Sequence, residues 1–451
     1  MKEEEKVTNN WALYEIGKDY NRMQNMYEEG TDNYNYYHGR QWEGLIRPTS
    51  STEPVTLNIV KPIVKYKVNV VNQNSYQIVF NPNTYDTYEQ LQQLKDITKG
   101  LSQFVNRMWE KSQSGKKVRN VVKDSCINSE GIIHFYHDEE KNQIFSEEVD
   151  KNNIYYGNEN NSEIQNQPYI LVVYRKTVKE VKEMAQEYKE ARKNNLTEEE
   201  IETITSDMDY VEQAGKEKML MEVSPMCLVV RKYEKKDGKI WVSESTRTCD
   251  LYKEQDTKLE LYPIAHYIWE EEKGYARGIS EVRGLLENQR EINKTATRRA
   301  IAVKIGAYPK LVVDKERVEN PESLNTVGST VKLTELRTDD VNKVISYLKP
   351  ATMSQDAYNL QQDLINGTRE LAGAGDIATG QVNPEQASGK AILAVQQASQ
   401  QPLNEQVENY KFFLEDCGKI IFDLIKAYYI DGLTLYTSED TVNELRTNRK
   451  Y

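Results

Sequence analysis

The sequence predicts an α+β chain that is mainly helical. Three observations carry this. Two stretches within the first 270 residues alternate and turn like β-hairpins. Several other stretches space their apolar residues three and four apart, as helices do. From Gly278 onward the order is a long helix, a small β-rich unit, a returning helix, a glycine-rich loop and a long helix with Pro402 inside it.

The first part reads in order as follows. Residues 1–30 place Trp11, Leu13, Tyr14, Tyr20, Met23 and Tyr27 at roughly helical spacing. "YNYYHGRQWEGL" then reads as an aromatic turn around Gly39 and Gly44. A helix is predicted from near Asn58, because Pro62 suits a first turn. A strand is predicted over Tyr76 to Phe80, ahead of Asn81-Pro82. Residues 86–125 are helical, with Leu91, Leu94, Leu101, Phe104, Val105, Met108 and Trp109 on one side. "GIIHFYHDEEKNQIFSEEV" and "CLVVRKYEKKDGKIWVSES" are the two hairpins, the second turning at Asp237-Gly238. Residues 177–220 form a charged insertion of helical composition between them. Residues 1–278 are therefore read as one mixed α/β region.

The second part has a different texture. "SEVRGLLENQREINKTATRRAIAVKIGA" is capped by Ser280, has Glu281 in its first turn and meets no proline until Pro309. It predicts a helix over 279–306, about 26 residues and ~39 Å long. Val282, Leu285, Leu286 and Ile292 give it only a thin apolar stripe, which implies lateral packing with another face solvated. Residues 307–351, bracketed by Pro309 and Pro350, read as short strands in "YPKLVV", "GSTVKLTEL" and "KVISYLKP". A helix over 352–372 returns, a loop spans 373–390, and a long helix spans 391–429 with a kink expected at Pro402. The tail, 430–451, is short and polar. We find no internal repeat.

Composition bounds the function. The 451 residues carry a net charge of −12, with a pI of about 5.2. A general nucleic-acid binder shows a basic surface, so contact of this chain with DNA is expected to be loose or local. Tyr is abundant at 30 against 7 Phe, which suits packed surfaces between subunits and is equally what an AT-rich genome produces. Cys126, Cys227, Cys249 and Cys417 lack CxxC spacing and read as reduced, buried residues of an intracellular protein. The polar start, MKEEEKVTNN, does not read as a signal peptide. No apolar run approaches the ~18 residues of a membrane span, so no membrane partner is expected.

The chemical motifs are mostly weak. Gly373-Ala-Gly375 has the letters of a dinucleotide turn but follows a helix rather than a strand. Ser388-Gly389-Lys390 suggests a P-loop, yet Pro384 stands where the first glycine belongs, and Ala391 supplies no hydroxyl for Mg²⁺. No cofactor, metal or catalytic set is therefore expected. Gly373, Gly375, Gly380 and Gly389, with Asp376 and Lys390 among them, read instead as a mobile loop joining two helices. His134 and His137, three apart in a strand, face opposite ways and read as structural. Arg283, Arg290, Lys294 and Arg298 share one face of the long helix. They could meet DNA phosphates or pair with acids such as Asp356, Asp363 and Glu370; we favour pairing, with a role in registry between subunits. Lys116, Lys117, Arg119 and Lys123 read as a solvated helix face.

This layout resembles the portal (head–tail connector) proteins of tailed bacteriophages. The resemblance rests on "NYYHGRQW" (35–42), on "LNIVKPIV" (57–64), on "ASGKAILAVQQ" (387–397) and above all on their order with the long helices. It implies a wing (1–278), a first stem helix (279–306), a clip (307–351), a second stem helix (352–372), a channel loop (373–390) and a long kinked wing helix (391–429). It further implies a homo-oligomeric ring, commonly of about twelve subunits, at one capsid vertex, assembled in the host cytoplasm and without enzymatic activity. Double-stranded DNA would pass through it during packaging and ejection. Terminase and head-completion proteins would dock on the clip, and scaffolding and major capsid proteins on the wing. About 22 residues follow the last long helix, so any helical crown is small or absent, or lies beyond this sequence. Two other readings remain: a ring-forming or scaffolding virion protein without a DNA channel, and a nucleotide-dependent motor using residues 373–391.

Overall fold

The computed structural model describes residues 7–43, 53–73, 76–82, 87–139, 141–190, 196–207, 225–307, 311–314, 316–325, 330–334, 344–347, 355–375 and 401–429, and the backbone of 433–436 and 442–445. It begins with α1 (Asn9–Met23) and α2 (Met26–His38), separated by Asn25 at a left-handed φ of 56°. The sequence suggested one helix and then an aromatic turn; instead the second helix runs through the aromatic stretch. Gly30, Asn33, Tyr36 and Tyr37 are buried along one flank of α2, and that packing overrides the local turn chemistry. Gly39, at φ 85°, ends the helix in a backbone shape that a side chain would strain.

α3 (Val60–Val71) starts where Pro62 suggested, and Asn58 Oδ1 accepts the Lys61 N–H at 3.1 Å. Tyr76 to Phe80 is extended but is not a strand. The Phe80 N–H donates to Ser102 Oγ at 2.9 Å, and Asn106 Nδ2 donates to the Ile78 carbonyl at 3.1 Å. Both side chains belong to α4 (Tyr88–Lys111), so a helix satisfies this backbone in place of a partner strand. A left-handed Gln113 then splits the expected single helix, and α5 (Ser114–Asn128) follows.

β1 (Glu130–Asp138) and β2 (Gln143–Val149) form the first expected hairpin. β3 (Ile154–Tyr156) and β4 (Tyr169–Thr177) come next, then α6 (Val178–Glu190) and α7 (Glu198–Glu202) in the charged insertion. β5 (Met226–Lys236) and β6 (Lys239–Ser245) form the second hairpin, turned through left-handed Asp237 and Gly238. With β7 (Tyr252–Asp256) they complete an antiparallel sheet ordered β3-β4-β5-β6-β7. Period-two alternation gives β5 two packed faces. Leu228 and Val230 meet Trp11 and Tyr14 of α1, while Cys227 and Val229 meet Val181 and Ala185 of α6. β8 (Ile264–Ile268) pairs with the free edge of β1, and β9 (Glu270–Glu272) pairs with β10 (Tyr275–Ile279). α5 lies against β1 so closely that a Cβ on Gly131 would stand 2.1 Å from the Val121 carbonyl oxygen.

The remainder is α8 (Glu281–Ala307), β11 (Leu311–Val313), β12 (Ile345–Tyr347), α9 (Gln355–Leu371) and α10 (Asn404–Tyr428). β11 and β12 pair antiparallel, but of the third expected strand only one bridge is described, Val318 to Leu333. Pro402 lies in a 3₁₀ turn (Gln401–Leu403) just before α10, so the described helix begins after the proline, and residues 391–400 lie outside the described residues. The tail, expected to be merely polar, pairs β13 (Leu433–Tyr436) with β14 (Val442–Leu445). The four cysteines are buried free thiols. Mixed α/β content with helix in the majority agrees with the predicted class.

One buried ionic cluster joins β1, β3, β10 and the turn after β3. Arg277 donates to Glu130 Oε1 (2.6 Å), to both oxygens of Glu159 (3.0 and 3.1 Å) and to the Lys151 and Ile154 carbonyls (3.0 and 2.9 Å). Tyr156 and His266 hold the other Glu130 oxygen at 3.1 and 3.0 Å. Burial works to raise the Glu130 carboxyl, but Arg277, His266 and Lys151 outweigh it and hold it at about 2. Because the folded value lies below the ordinary 4.5, this group stabilises the fold above that pH, and the contribution is lost as pH falls towards about 2. Arg277→Met should cost about 3–5 kcal/mol in urea unfolding at neutral pH, because it strands a buried carboxylate. Glu130→Gln should flatten the acid limb of the stability profile between those two pH values.

Candidate functional site along the long helix

α8 carries the four predicted basic residues, Arg283, Arg290, Lys294 and Arg298. Ser280 Oγ accepts the Arg283 N–H at 3.1 Å and so caps its start. Glu281, in its first turn, receives Lys67 Nζ of α3 at 2.6 Å and Trp269 Nε1 at 3.2 Å. Lower down, Gln289, Asn293 and Thr297 stand one turn apart on a buried face. Their oxygens each accept one backbone N–H, from Ile59, Leu57 and Val55 respectively, all at 3.0 Å. Gln289 Nε2 donates back to the Leu57 carbonyl at 2.7 Å. Asn293 Nδ2 donates to Gln41 Oε1 at 2.5 Å, and Gln41 in turn donates to the Tyr36 carbonyl at 2.8 Å. Trp42 Nε1 reaches the Val55 carbonyl at 3.3 Å. The stretches 35–42 and 57–64 thus converge on one helix, held by polar side chains that sequence reasoning passed over. Their signal was available: Gln, Asn and Thr at four-residue spacing on a helix with a thin apolar stripe.

The basic row occupies another face of α8. Arg283 reaches Glu29 of α2 at 3.5 Å. Arg290 reaches Asp32 of α2 at 3.1 Å, Glu287 at 2.5 Å and the Tyr36 hydroxyl at 2.8 Å. Lys294 and Arg298 both turn to Glu291, at 3.5 and 3.4 Å. These acids lie on α2 and on α8 itself, in place of the expected Asp356, Asp363 and Glu370. The reason is that α2 runs along the row, whereas α9 meets α8 through a different residue, Arg299. Arg299 donates to Gln361 Oε1 and lies 4.8 Å from the Tyr358 ring. The side chains of Arg283, Lys294 and Arg298 remain 56, 49 and 65% exposed, so these pairs are weak and open to solvent.

The loop residues are only partly placed. Gly373, at φ 63°, donates its N–H to the Glu370 carbonyl, and Ala374 donates to Arg369, closing the end of α9. Ala372 and Ala374 are buried in the main core, and a Cβ on Gly373 would lie 3.8 Å from Pro402. Gly373 therefore ends a helix with Pro402 alongside, and Gly375 is the last described residue of the segment. Asp376, Gly380, Gly389 and Lys390 lie outside the described residues.

The other candidates are structural. His134 is fully buried between Glu147 (2.8 Å) and Tyr233 (2.9 Å), and burial lowers its proton affinity. His137 contacts Asn142 at 3.0 Å and stacks on Tyr428. Among the described residues no cluster of three His, Cys, Asp or Glu could hold a metal ion. No described helix is long and apolar enough to cross a membrane.

The class of protein follows from this arrangement: a subunit whose packed body carries a long two-helix extension, α8 with α9, leading away from its core. The chain belongs to the phage P22-like portal protein family, which matches residues 15–440. It is thus a bacteriophage virion protein of the portal class. A comparison with curated proteins gives no match.

Asn293→Ala should cost about 1–3 kcal/mol in urea unfolding, since it removes the partner of the Leu57 N–H and orphans the buried Gln41 oxygen. Arg298→Ala, which removes one exposed pair, should change stability by less than about 1 kcal/mol.

Proposed function

We propose that the chain assembles into the closed ring of a capsid portal vertex, about twelve copies around a channel that passes double-stranded DNA. The observation that carries this reading is the bareness of the two-helix extension. Val303 and Ile305 on α8, and Tyr358, Leu360 and Leu371 on α9, are exposed, up to 82% at Leu371. Beyond α8 the only described buried hydrophobic residues before α9 are Val318 and Val344. A helical pair with apolar side chains on its open flanks needs neighbours to cover them, and a head-to-tail interface that closes supplies one on each side.

In this reading 1–278 is the wing, 279–306 and 352–372 are the stem helices, 307–351 is the clip, 391–429 is the long wing helix and 373–390 faces the channel. Gly373, Gly375, Asp376, Gly380, Gly389 and Lys390 would let that loop follow DNA without gripping it. The net charge of −12 supports sliding, because phosphates are repelled rather than held. The clip would receive terminase and later head-completion proteins; the wing would meet scaffolding and major capsid proteins. Assembly would take place in the host cytoplasm, with the finished ring at the capsid vertex.

Electron microscopy of the purified chain should show closed rings with a hole wide enough for a B-form duplex; rings or sheaths without such a hole would favour a non-channel virion protein. Val303→Glu with Leu360→Glu should abolish rings while leaving the melting temperature of the subunit nearly unchanged, since both positions are exposed. The purified protein should not hydrolyse nucleotide, and Lys390→Ala should change nothing in that assay; turnover lost with this substitution would favour the motor reading.

A further inference from the structure

The cationic side chains outside α8 are not all neutralised. Around the C-terminal end of α2, three helices bring cations together. Lys61 of α3 and Lys123 of α5 lie 5.9 and 5.5 Å from the Tyr37 ring centroid. Arg40 follows the end of α2, and His38 is the last residue of that helix. The proton affinity of His38 is lowered by partial burial and then by Lys123, Arg40 and Lys61, so all three stand close to its ring. Lys65 lies one turn beyond Lys61 on the exposed side of α3, and Arg119 lies one turn before Lys123 on the exposed side of α5.

Among the described residues, none of Arg40, Lys61, Lys65, Arg119 or Lys123 makes an ion pair. Asp124, the neighbour of Lys123, is pushed up to about 6 by burial and by the carboxylates of Glu148 and Asp150, with Lys123 acting against them. The basic row of α8 has an acid within ion-pair distance at every position; the five cations of this cluster have none among the described residues. In a chain of net charge −12, such a concentration marks a place for an external anion.

The character of the face selects the kind of anion. Protein interfaces carry an apolar core, and no large hydrophobic side chain is exposed on α3 or α5. An exposed aromatic group nearby is Tyr34, whose ring is tilted at 45° to His38 with centroids 4.3 Å apart. A surface of Lys and Arg without apolar anchors suits a phosphate backbone, which is held by charge alone and without sequence preference. We propose that the face formed by Arg40, Lys61, Lys65, Arg119 and Lys123 binds the phosphate backbone of a nucleic acid, separately from the stem helices and independently of ring formation.

The test uses full-length protein and a fluorescent DNA duplex of about 30 base pairs, titrated by anisotropy between about 50 and 200 mM salt. The wild type should bind, with affinity falling steeply as salt rises. Lys61→Glu/Lys65→Glu/Arg119→Glu should weaken binding at least tenfold and reduce the salt slope by about 2–3, the loss of about three phosphate contacts. These residues are exposed, so an unchanged melting curve should accompany the loss. Lys294→Glu/Arg298→Glu, made on α8, should leave binding unchanged. Loss of binding in the α8 variant but not in the triple variant would overturn the proposal. So would a wild type that ignores the duplex at the lowest salt, or that binds poly-glutamate more tightly than DNA; the last result would assign the face to an acidic protein. Ring formation, scored on the same samples by microscopy, separates failure of this site from failure of the portal assembly.

Discussion

The placement of the long helix depends on a match between two spacings. Four residues of α-helix advance about 6.0 Å, and two residues of extended chain advance about 6.6 Å. Thr297, Asn293 and Gln289, each four apart on α8, can therefore meet the N–H groups of Val55, Leu57 and Ile59, each two apart, in one continuous register. A slip of one residue on the extended segment would turn its N–H groups away and leave the buried oxygens of Gln289 and Thr297 without donors, at about 1–3 kcal/mol each, while Asn293 would keep only the Gln289 amide. The ladder thus fixes both the height and the rotation of α8. Lys67 and Trp269 hold Glu281 at the upper end, so the helix is pinned along its buried half, and its outer turns are left to project.

That pinning explains why the rest of the fold can be thin around α8. The apolar stripe foreseen from Val282, Leu285, Leu286 and Ile292 is real but short, and all four residues are buried. Polar side chains carry the contact further than hydrophobic ones do. A helix held this way keeps a specific register, because a hydrogen-bonded ladder tolerates displacement less than a greasy seam does. For a subunit whose stem would have to repeat around a ring, register matters more than buried area.

Much of the architecture was legible locally. Asp237-Gly238 and the flanking alternation announce the β5–β6 hairpin, and Ser280 followed by a proline-free run announces α8. What was not legible has physical reasons. Asn25 and Gln113 break helices by adopting left-handed conformations that neither residue signals strongly. Tyr76 to Phe80 has the pattern of a strand, but its hydrogen bonds go to Ser102 and Asn106 on α4, a tertiary choice no window of sequence contains. Glu29 and Asp32, which answer Arg283 and Arg290, sit on α2, more than 250 residues away in the chain. Of the loop residues only Gly373 and Gly375 lie among the described residues, and Gly373 closes a helix beside Pro402.

The two basic groups show how charge should be read in an acidic protein. Spacing alone made the α8 row look like the stronger candidate for phosphate, since four cations share one helical face. Yet each of its members has a carboxylate within 3.5 Å, so little net field leaves that face. The group around Tyr37 looked like an ordinary solvated surface when only α5 was in view. It becomes a concentration of charge once α3 and the chain after α2 add Lys61, Lys65 and Arg40, none of which makes an ion pair among the described residues. Partners decide whether a cation is available, and partners are set by the tertiary fold. On the proposed reading, a protein that lets DNA slide would still be able to hold it locally, provided the unneutralised cations are confined to one small face and the remaining surface repels.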